Sequence, residues 1–381
     1  NPIVEMGLFM DSRGIPITMC LHPGNTSEQL TAVPLEKEVL KMVPGSKFIY
    51  CADAGLGSYN IRKFNSMGGR AFIVTQSIRK LSDTLKKAVF NDCDYKLLSD
   101  NSPVTIEEMK NFDRHDPDNL ALYKDSAYKV IAADRVLDLG LYEDVVLKNG
   151  RTVQRKAKGV LKQRIIITFS RKMMEYQRAV RDRQVERAKK LLAQKDPEEI
   201  KKGPNDVRRF MKRVSKTKSG EKAVVEYILD ESKIAEEEKY DGYYAVATNL
   251  ADPVKDILAV SQKRYQIEDC FRLIKMNFDG RPVNHRLPER IRAHFLICYT
   301  ALLVYRLLQA RLDDQKTHVT PDNLVATLKN MNVTNIHDID YMALYKGSKS
   351  LDALTRLTML PLDRRHYRPK DLNRMIKKFL S

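Results

Sequence analysis

The sequence predicts an α/β fold. A mixed sheet flanked by helices is interrupted by an inserted basic α+β domain and followed by a helical C-terminal region. Three observations carry this. Two β-prone runs joined by turn residues open the chain. A strand–helix–strand pattern with continuously apolar strands follows over residues 47–75. Most of the positive charge then sits in one block, ahead of a later strand-then-helix segment.

Val4-Glu-Met-Gly-Leu-Phe-Met10 and Ile15-Pro-Ile-Thr-Met-Cys-Leu21 flank Asp11-Ser-Arg-Gly14. An acid first and a glycine last suit a tight turn, so the two runs form a hairpin. After the loop His22-Pro-Gly-Asn25, Thr26 or Ser27 caps a helix carrying Leu30, Val33, Val39, Leu40 and Val43. Lys47-Phe-Ile-Tyr-Cys-Ala-Asp53 is an apolar run ending in an acid. Ser58 opens a short helix that Gly68-Gly69 closes, and Ala71-Phe-Ile-Val-Thr75 is the next apolar run. Strand, helix and strand at this spacing make a βαβ unit with buried parallel strands, and a hairpin leading into it gives a mixed sheet. Beyond Ser77 the β-prone runs are short (128–132, 145–147, 165–169 and 223–228), and a highly charged helix covers 171–194. A strand returns at 243–248. Asp252-Pro253 starts a helix running to about Asn277, with proline at its first position. Phe278-Asp-Gly-Arg-Pro282 breaks it, and Pro288 opens a second long, mostly apolar helix. Four segments result: 1–79, the first part of the core; 80–240, the inserted basic domain; 241–312, the second part of the core with its acid-bearing helix; and 313–381, the helical C-terminal region.

The bulk composition narrows the function. With 381 residues, 43% of them hydrophobic, the chain can bury one large core or two smaller ones. The net charge is +18, and residues 151–222 hold 24 Lys and Arg against 8 Asp and Glu. A surplus so concentrated asks for a polyanionic partner. Five cysteines without a CxxC pair argue against a disulfide framework or a zinc site and for a reducing compartment. The longest apolar run, 295–304, is too short to span a membrane and fits a buried helix.

Two constellations suit phosphodiester chemistry. Asp53 ends a buried parallel strand just before Ala54-Gly55, and α/β sheets hold ligands at that end. An acid there also orders a turn or caps the next helix. Asp134 ends a similar run but lacks the following glycine, and it is expected to be a loop acid. Along the helix 253–277, Arg264, Glu268, Arg272 and Lys275 fall at offsets 0, 4, 8 and 11, a single narrow stripe, with Ile267, Phe271 and Ile274 beside it. Such a stripe is either a ladder of salt bridges on a solvated face or a carboxylate flanked by cations for a metal and a phosphate. His22 and His285 flank loops, and His294 lies on the apolar helix, where a partnered core histidine is expected.

Arg264, Tyr265, Ile267-Glu268, Phe271-Arg272 and Lys275 resemble the signature helix of the DDE transposases of bacterial insertion sequences, in the IS-four superfamily. That signature is Tyr, two residues, Arg, three residues, Glu, six residues, Lys. Arg264, Glu268 and Lys275 fit its last three positions, Ser261 stands at the Tyr position, and Tyr265 follows the Arg where an aromatic is usual. Cys51-Ala-Asp-Ala-Gly55 resembles the family's second aspartate segment. Pro23-Gly-Asn-Thr26, Asp241-Gly-Tyr-Tyr-Ala-Val-Ala-Thr-Asn249 and Arg281-Pro-Val-Asn-His285 through His294 resemble further segments.

The resemblance implies an RNase H-like core with three antiparallel strands, a helix and then parallel strands. It also implies a DNA transposase that cleaves insertion-sequence ends and transfers the strand. Asp53 and Glu268 are then catalytic and metal-binding acids for two Mg²⁺ ions, with Mn²⁺ as a substitute. Arg264, Tyr265, Arg272 and Lys275 contact DNA, and Arg178, Arg181 and Lys189 of the charged helix add backbone contacts. The implied partners are double-stranded DNA, as terminal inverted repeats and target, and a second subunit on the DNA ends, with no membrane. The implied location is the bacterial cytoplasm, at the nucleoid. The family's first aspartate lies on a strand that would precede Val4, so the chain is expected to be inactive alone; Asp11, in the hairpin turn, is a poor substitute. Two other function classes remain open: an RNase H-like nuclease without strand transfer, and a non-enzymatic basic DNA-binding protein whose acids are structural.

Overall fold

The computed structural model describes residues 4–43, 45, 47–146, 151–193, 205–216, 224–337 and 339–380. Leu147, Gln194 and Ala223, at the ends of three expected elements, lie outside the described residues, as do 195–204 and 217–222 of the basic block. The chain forms two compact units, one of residues 1–45 and 262–381, the other of residues 46–261.

The first unit opens with the expected hairpin. Strands β1 (Val4–Met10) and β2 (Pro16–Pro23) pair antiparallel. Asp11 closes the turn, its Oδ1 accepting from the N–H groups of Arg13 and Ile15, both at 2.9 Å. The hairpin is a two-stranded sheet of its own rather than part of a larger mixed sheet. Its alternate side chains Met6, Leu8 and Met10 share one face and pack on the helical core of this unit. Helix α1 (Glu28–Met42) follows, with Ser27 at its N-cap position.

In the second unit β3 (Ile49–Ala52), α2 (Tyr59–Phe64) and β4 (Ala71–Thr75) form the βαβ element, with Ile49 opposite Ala71 in a parallel pair. The chain continues through α3 (Asp83–Phe90), β5 (Lys96–Leu97), α4 (Ile106–Asn111), α5 (Leu120–Lys124), β6 (Ala127–Ala132), β7 (Arg135–Val146), β8 (Thr152–Leu161) and β9 (Arg164–Phe169). It then forms α6 (Arg171–Leu192), β10 (Met211–Lys216), β11 (Val224–Leu229), α7 (Glu231–Glu238), β12 (Tyr243–Thr248) and α8 (Val254–Gln262). One six-stranded mixed sheet runs β3-β4-β12-β9-β6-β5. Only β3 and β4 are parallel. Residues 80–240 therefore do not stand apart as an inserted domain. Strands β5, β6 and β9 extend the same sheet, because β12 pairs with β4 on one side and β9 on the other. Ile165, Ile166, Ile167 and Phe169 are all buried, as a central strand covered on both faces requires. Two ribbons, β7–β8 and β10–β11, pair outside that sheet.

The first unit resumes with α9 (Tyr265–Met276), α10 (Pro288–Asp314), α11 (Pro321–Asn330), β13 (Val333–Ile336), β14 (Asp340–Ala343), α12 (Lys349–Thr358), β15 (His366–Tyr367) and α13 (Pro369–Leu380). Its core joins Cys270, Leu273 and Ile274 of α9 to Cys298, Leu302 and Tyr305 of α10, Leu324 of α11 and Leu354 of α12. The single helix expected over 253–277 is two, parted by a turn at Lys263-Arg264. By length and composition alone α10 could cross a membrane. Only one side of its apolar run is buried: Phe295, Cys298 and Leu302 pack inward, while Ile297 and Val304 stay 70% and 61% exposed. Strands β13, β14 and β15 form a small sheet within a C-terminal region expected to be helical.

Candidate active site

Strand β3 ends at Ala52 and leaves Asp53 exposed at the carboxyl end of a parallel pair. Its Oδ1 accepts the N–H of Gly55 at 2.9 Å and of Leu56 at 3.2 Å. A Cβ at residue 55 would lie 3.3 Å from that oxygen, so glycine allows this close return of the chain. The turn-ordering role is real, and it occupies one carboxylate oxygen. Oδ2 has no hydrogen-bond partner among the described residues. Asp134 is the loop acid expected, its Oδ1 accepting from the N–H of Gln163 at 3.1 Å.

Arg62, which the sequence reading passed over, fixes the Asp53 turn from behind. It is 4% exposed. Its Nε donates to Gly57 O at 2.9 Å, Nη2 to Gln76 Oε1 at 2.8 Å and Nη1 to Gln163 Oε1 at 3.2 Å. Among the described residues no carboxylate pairs with it. Burial, and to a lesser degree the charge of Arg135, lowers its pKa to about 10. A buried cation held only by neutral acceptors is costly. Here it ties helix α2 to the Asp53 turn, to the end of β4 and to the start of β9. A single arginine on a six-residue helix carries no periodic signal, so nothing in the sequence marked it.

In the other unit, α9 buries Cys270, Leu273 and Ile274 and exposes Tyr265, Glu268, Arg272 and Lys275. Glu268 makes no hydrogen bond or ion pair among the described residues. The salt-bridge ladder is therefore not formed at Glu268, and neither Arg264 nor Arg272 pairs with it. Arg272 lies 3.8 Å from Asp269 and 3.6 Å from Asp322, with 43% of its side chain exposed. Pairs so loose and wet contribute little. Lys275 has no partner among the described residues. Arg264 is half-buried at the N-cap position of α9, where its carbonyl accepts from Ile267 N–H at 2.9 Å. Behind the helix, buried Arg306 donates to Gln266 O at 3.0 Å and to Cys270 Sγ at 3.1 Å, which fixes the first turn of α9. Burial pushes the Cys270 thiol up in pKa, and Arg306 only partly opposes this. His294 is a partnered helix histidine. Its ring packs edge-to-face on His285 at 5.6 Å and on Phe295 at 5.5 Å.

The two acids are thus carried by different units. Each is exposed and has at least one uncommitted oxygen, a donor set that fits a hard divalent cation. No group of three or more His, Cys, Asp or Glu that could hold a metal ion occurs among the described residues.

The cations expected on α6 are placed differently from one another. Arg181 is 7% exposed and donates to Asp241 Oδ1 at 2.7 Å, so it is an internal ion pair and not a surface contact. Its position explains this: Met174, Arg181 and Ala188 recur every seven residues and form the buried edge of the helix. Arg178 is half-buried, 3.4 Å from Glu238 and 3.7 Å from Asp241. Lys189 is exposed but bonded to Glu186 at 2.8 Å.

A family model described as the transposase DDE domain matches residues 4–304. No curated protein matches the chain.

Proposed function

The chain belongs to the family of DDE-domain transposases, and on that premise we propose that it mobilises a bacterial insertion sequence of the IS-four superfamily, cleaving the element's ends and joining the freed strand to target DNA. The observation that carries this is the solvent face of α9, where an unpaired Glu268 shares a stripe with Arg272 and Lys275 and lies one turn from an exposed Tyr265.

Asp53, through its free Oδ2, and Glu268 are the residues that would hold Mg²⁺, with Mn²⁺ as a substitute. Such ions, when bound, supply Lewis-acid polarisation of the scissile phosphate and a more acidic attacking hydroxyl. Arg264, Arg272 and Lys275 neutralise and align the phosphates, which otherwise repel an incoming oxygen. Tyr265, 61% exposed, offers a ring for a displaced base. The partners are duplex DNA, as terminal repeats and target, and a second subunit on paired ends. The setting is the bacterial cytoplasm, at the nucleoid.

The test uses the protein expressed from its complete reading frame, with duplexes carrying the repeats that flank its gene. Mg²⁺- or Mn²⁺-dependent cleavage and a joined strand-transfer product are expected. Asp53→Asn and Glu268→Gln should each lower cleavage by about 10³-fold or more while leaving DNA affinity within a few-fold. Cleavage without joining assigns a nuclease, and cleavage retained in both variants removes these two acids from the mechanism.

A further inference from the structure

Helix α6 sorts its cations into two sets. Arg171 pairs with Glu175 at 2.8 Å, Arg178 with Glu238 at 3.4 Å, Arg181 with Asp241 at 2.6 Å and Lys189 with Glu186 at 2.8 Å. Lys172, Arg183, Arg187 and Lys190 are exposed and make no ion pair or hydrogen bond to an acid among the described residues. At about 100° per residue these four and Tyr176 fall within a sector of roughly 60°. That sector lies opposite the buried edge of Met174, Arg181 and Ala188. Tyr176 is 63% exposed, one turn along the row from Lys172. From Lys172 to Lys190 the row runs about 27 Å at 1.5 Å per residue.

The unpaired set has a structural cause. The acids of α7 and of the turn after it, Glu238 and Asp241, meet only the side of α6 that faces them. On the far side Arg183 and Arg187 stand one turn apart as like charges, an arrangement that weakens a helix by itself. Arg183 Nε turns back to its own helix, to Ala179 O at 3.1 Å. Glu186 borders the row, but its carboxylate is bonded to Lys189.

We propose that this face of α6 docks along the sugar–phosphate backbone of duplex DNA as a sequence-independent clamp, with Lys172, Arg183, Arg187 and Lys190 on phosphates and Tyr176 against the sugar edge. It rests on the reading that DNA is the substrate, and it replaces Arg178, Arg181 and Lys189 as the contact set. Duplex DNA carries one charge per about 1.7 Å of axis, so a straight cationic row of this length meets many phosphates without bending. A membrane surface fits worse, because an interfacial helix must offer an apolar face, and the apolar edge of α6 is buried within its own unit. Single strands fit worse as well, since they are held by successive aromatic platforms and this face has only Tyr176.

The test measures the affinity of the full chain for a random-sequence duplex by anisotropy, between about 50 and 200 mM salt. Each phosphate contact contributes about 0.9 to the slope of log affinity against log salt. The fourfold variant Lys172→Gln/Arg183→Gln/Arg187→Gln/Lys190→Gln should therefore lower the slope by about 3–4. Arg183→Lys/Arg187→Lys should keep the slope, and Arg178→Gln/Lys189→Gln should change it by less than about 1. The four single Gln variants should each lower it by about 0.9, which covers the case of a fourfold variant that folds poorly. A steep slope in the parent that persists unchanged in the fourfold and single variants overturns the clamp and leaves the transposase reading standing. So does loss of binding to anionic vesicles with the duplex slope unchanged. A parent chain that binds no duplex at about 50 mM salt overturns the DNA reading itself.

Discussion

Replacing Arg181 with Met keeps the aliphatic stem and removes the charge. Asp241, 7% exposed on its side chain, would then keep a carboxylate in the interior with only Arg178 nearby, at 3.7 Å. Breaking a buried ion pair from one side costs about 3–5 kcal/mol. Arg178 remains to neutralise part of the charge, which sets this case at about 3 kcal/mol. The double variant Arg181→Met/Asp241→Leu should recover most of that loss. In the parent, burial raises the Asp241 pKa more than Arg181 and Arg178 lower it, so desolvation outweighs the pair's attraction. The same shift sets a pH dependence. With a folded pKa above the ordinary 3.8, the folded state binds the extra proton, so this group's contribution is full below about 3.8 and is lost as pH rises through the folded value. Asp241→Asn should flatten that slope. Hydrogen exchange of peptides covering 165–181 and 241–248 reads the effect within one unit. The slowest amides should exchange roughly 10²-fold faster in Arg181→Met, at about 1.4 kcal/mol per decade. A single variant within about 1 kcal/mol of the parent, or a double variant as unstable as the single, would refute the reasoning.

Arg62→Met should leave the carbonyl of Gly57 and the side-chain oxygens of Gln76 and Gln163 without their donor, costing roughly 2 kcal/mol or more. Exchange at Gly55 and Leu56 should rise first, and unchanged protection there would contradict the role given to Arg62. Gly242→Ala places a Cβ 2.6 Å from Phe169 Cε2 and 3.0 Å from Ser170 O, at a φ of +82°. Overpacking and the left-handed backbone together should cost about 2–4 kcal/mol and lower the thermal midpoint by roughly 5 °C or more. A midpoint within a degree of the parent would show that the turn relaxes freely.

The placement of Asp53 at an exposed strand end and of Glu268 on a solvent-facing helix stripe was legible because each is announced locally, one by an apolar run that stops at an acid before glycine, the other by a charged stripe at helical period. The paired strands were legible only where the partners are close in sequence, as in β1–β2 and β3–β4. The place of β12 between β4 and β9 depends on partners far apart in the chain, and no local pattern encodes it. Helix α6 shows the limit most clearly. Periodicity tells which residues share a face and leaves open which face turns inward, although Met174 and Ala188, seven residues either side of Arg181, were a sign that it does. The charge count over 151–222 also stopped short of Glu237, Glu238 and Asp241, the acids that pair with Arg209, Arg178 and Arg181.

The break at Lys263-Arg264 has an electrostatic consequence for the signature. No proline or glycine marks it, and an unbroken helix from Val254 would hold Glu268 beyond its midpoint, where the helix dipole offers a carboxylate nothing. With α9 starting at Tyr265, Glu268 falls in the first turn and Lys275 in the last. Each charge then lies at the terminus of opposite sign, an arrangement worth about 0.3–1 kcal/mol per charge at an exposed site. The seven-residue spacing from Glu to Lys thus matches the length of one short helix, α9, whose two ends it serves. It also gives Glu268 a favourable field without a salt-bridge partner, because the positive end of the α9 dipole lies within its own turn. Ser261, left behind at the buried end of α8, packs near Tyr244, its hydroxyl 3.5 Å from the phenol oxygen. A tyrosine side chain at 261 would have to enter that buried position, and the small residue found there is the one that fits the break.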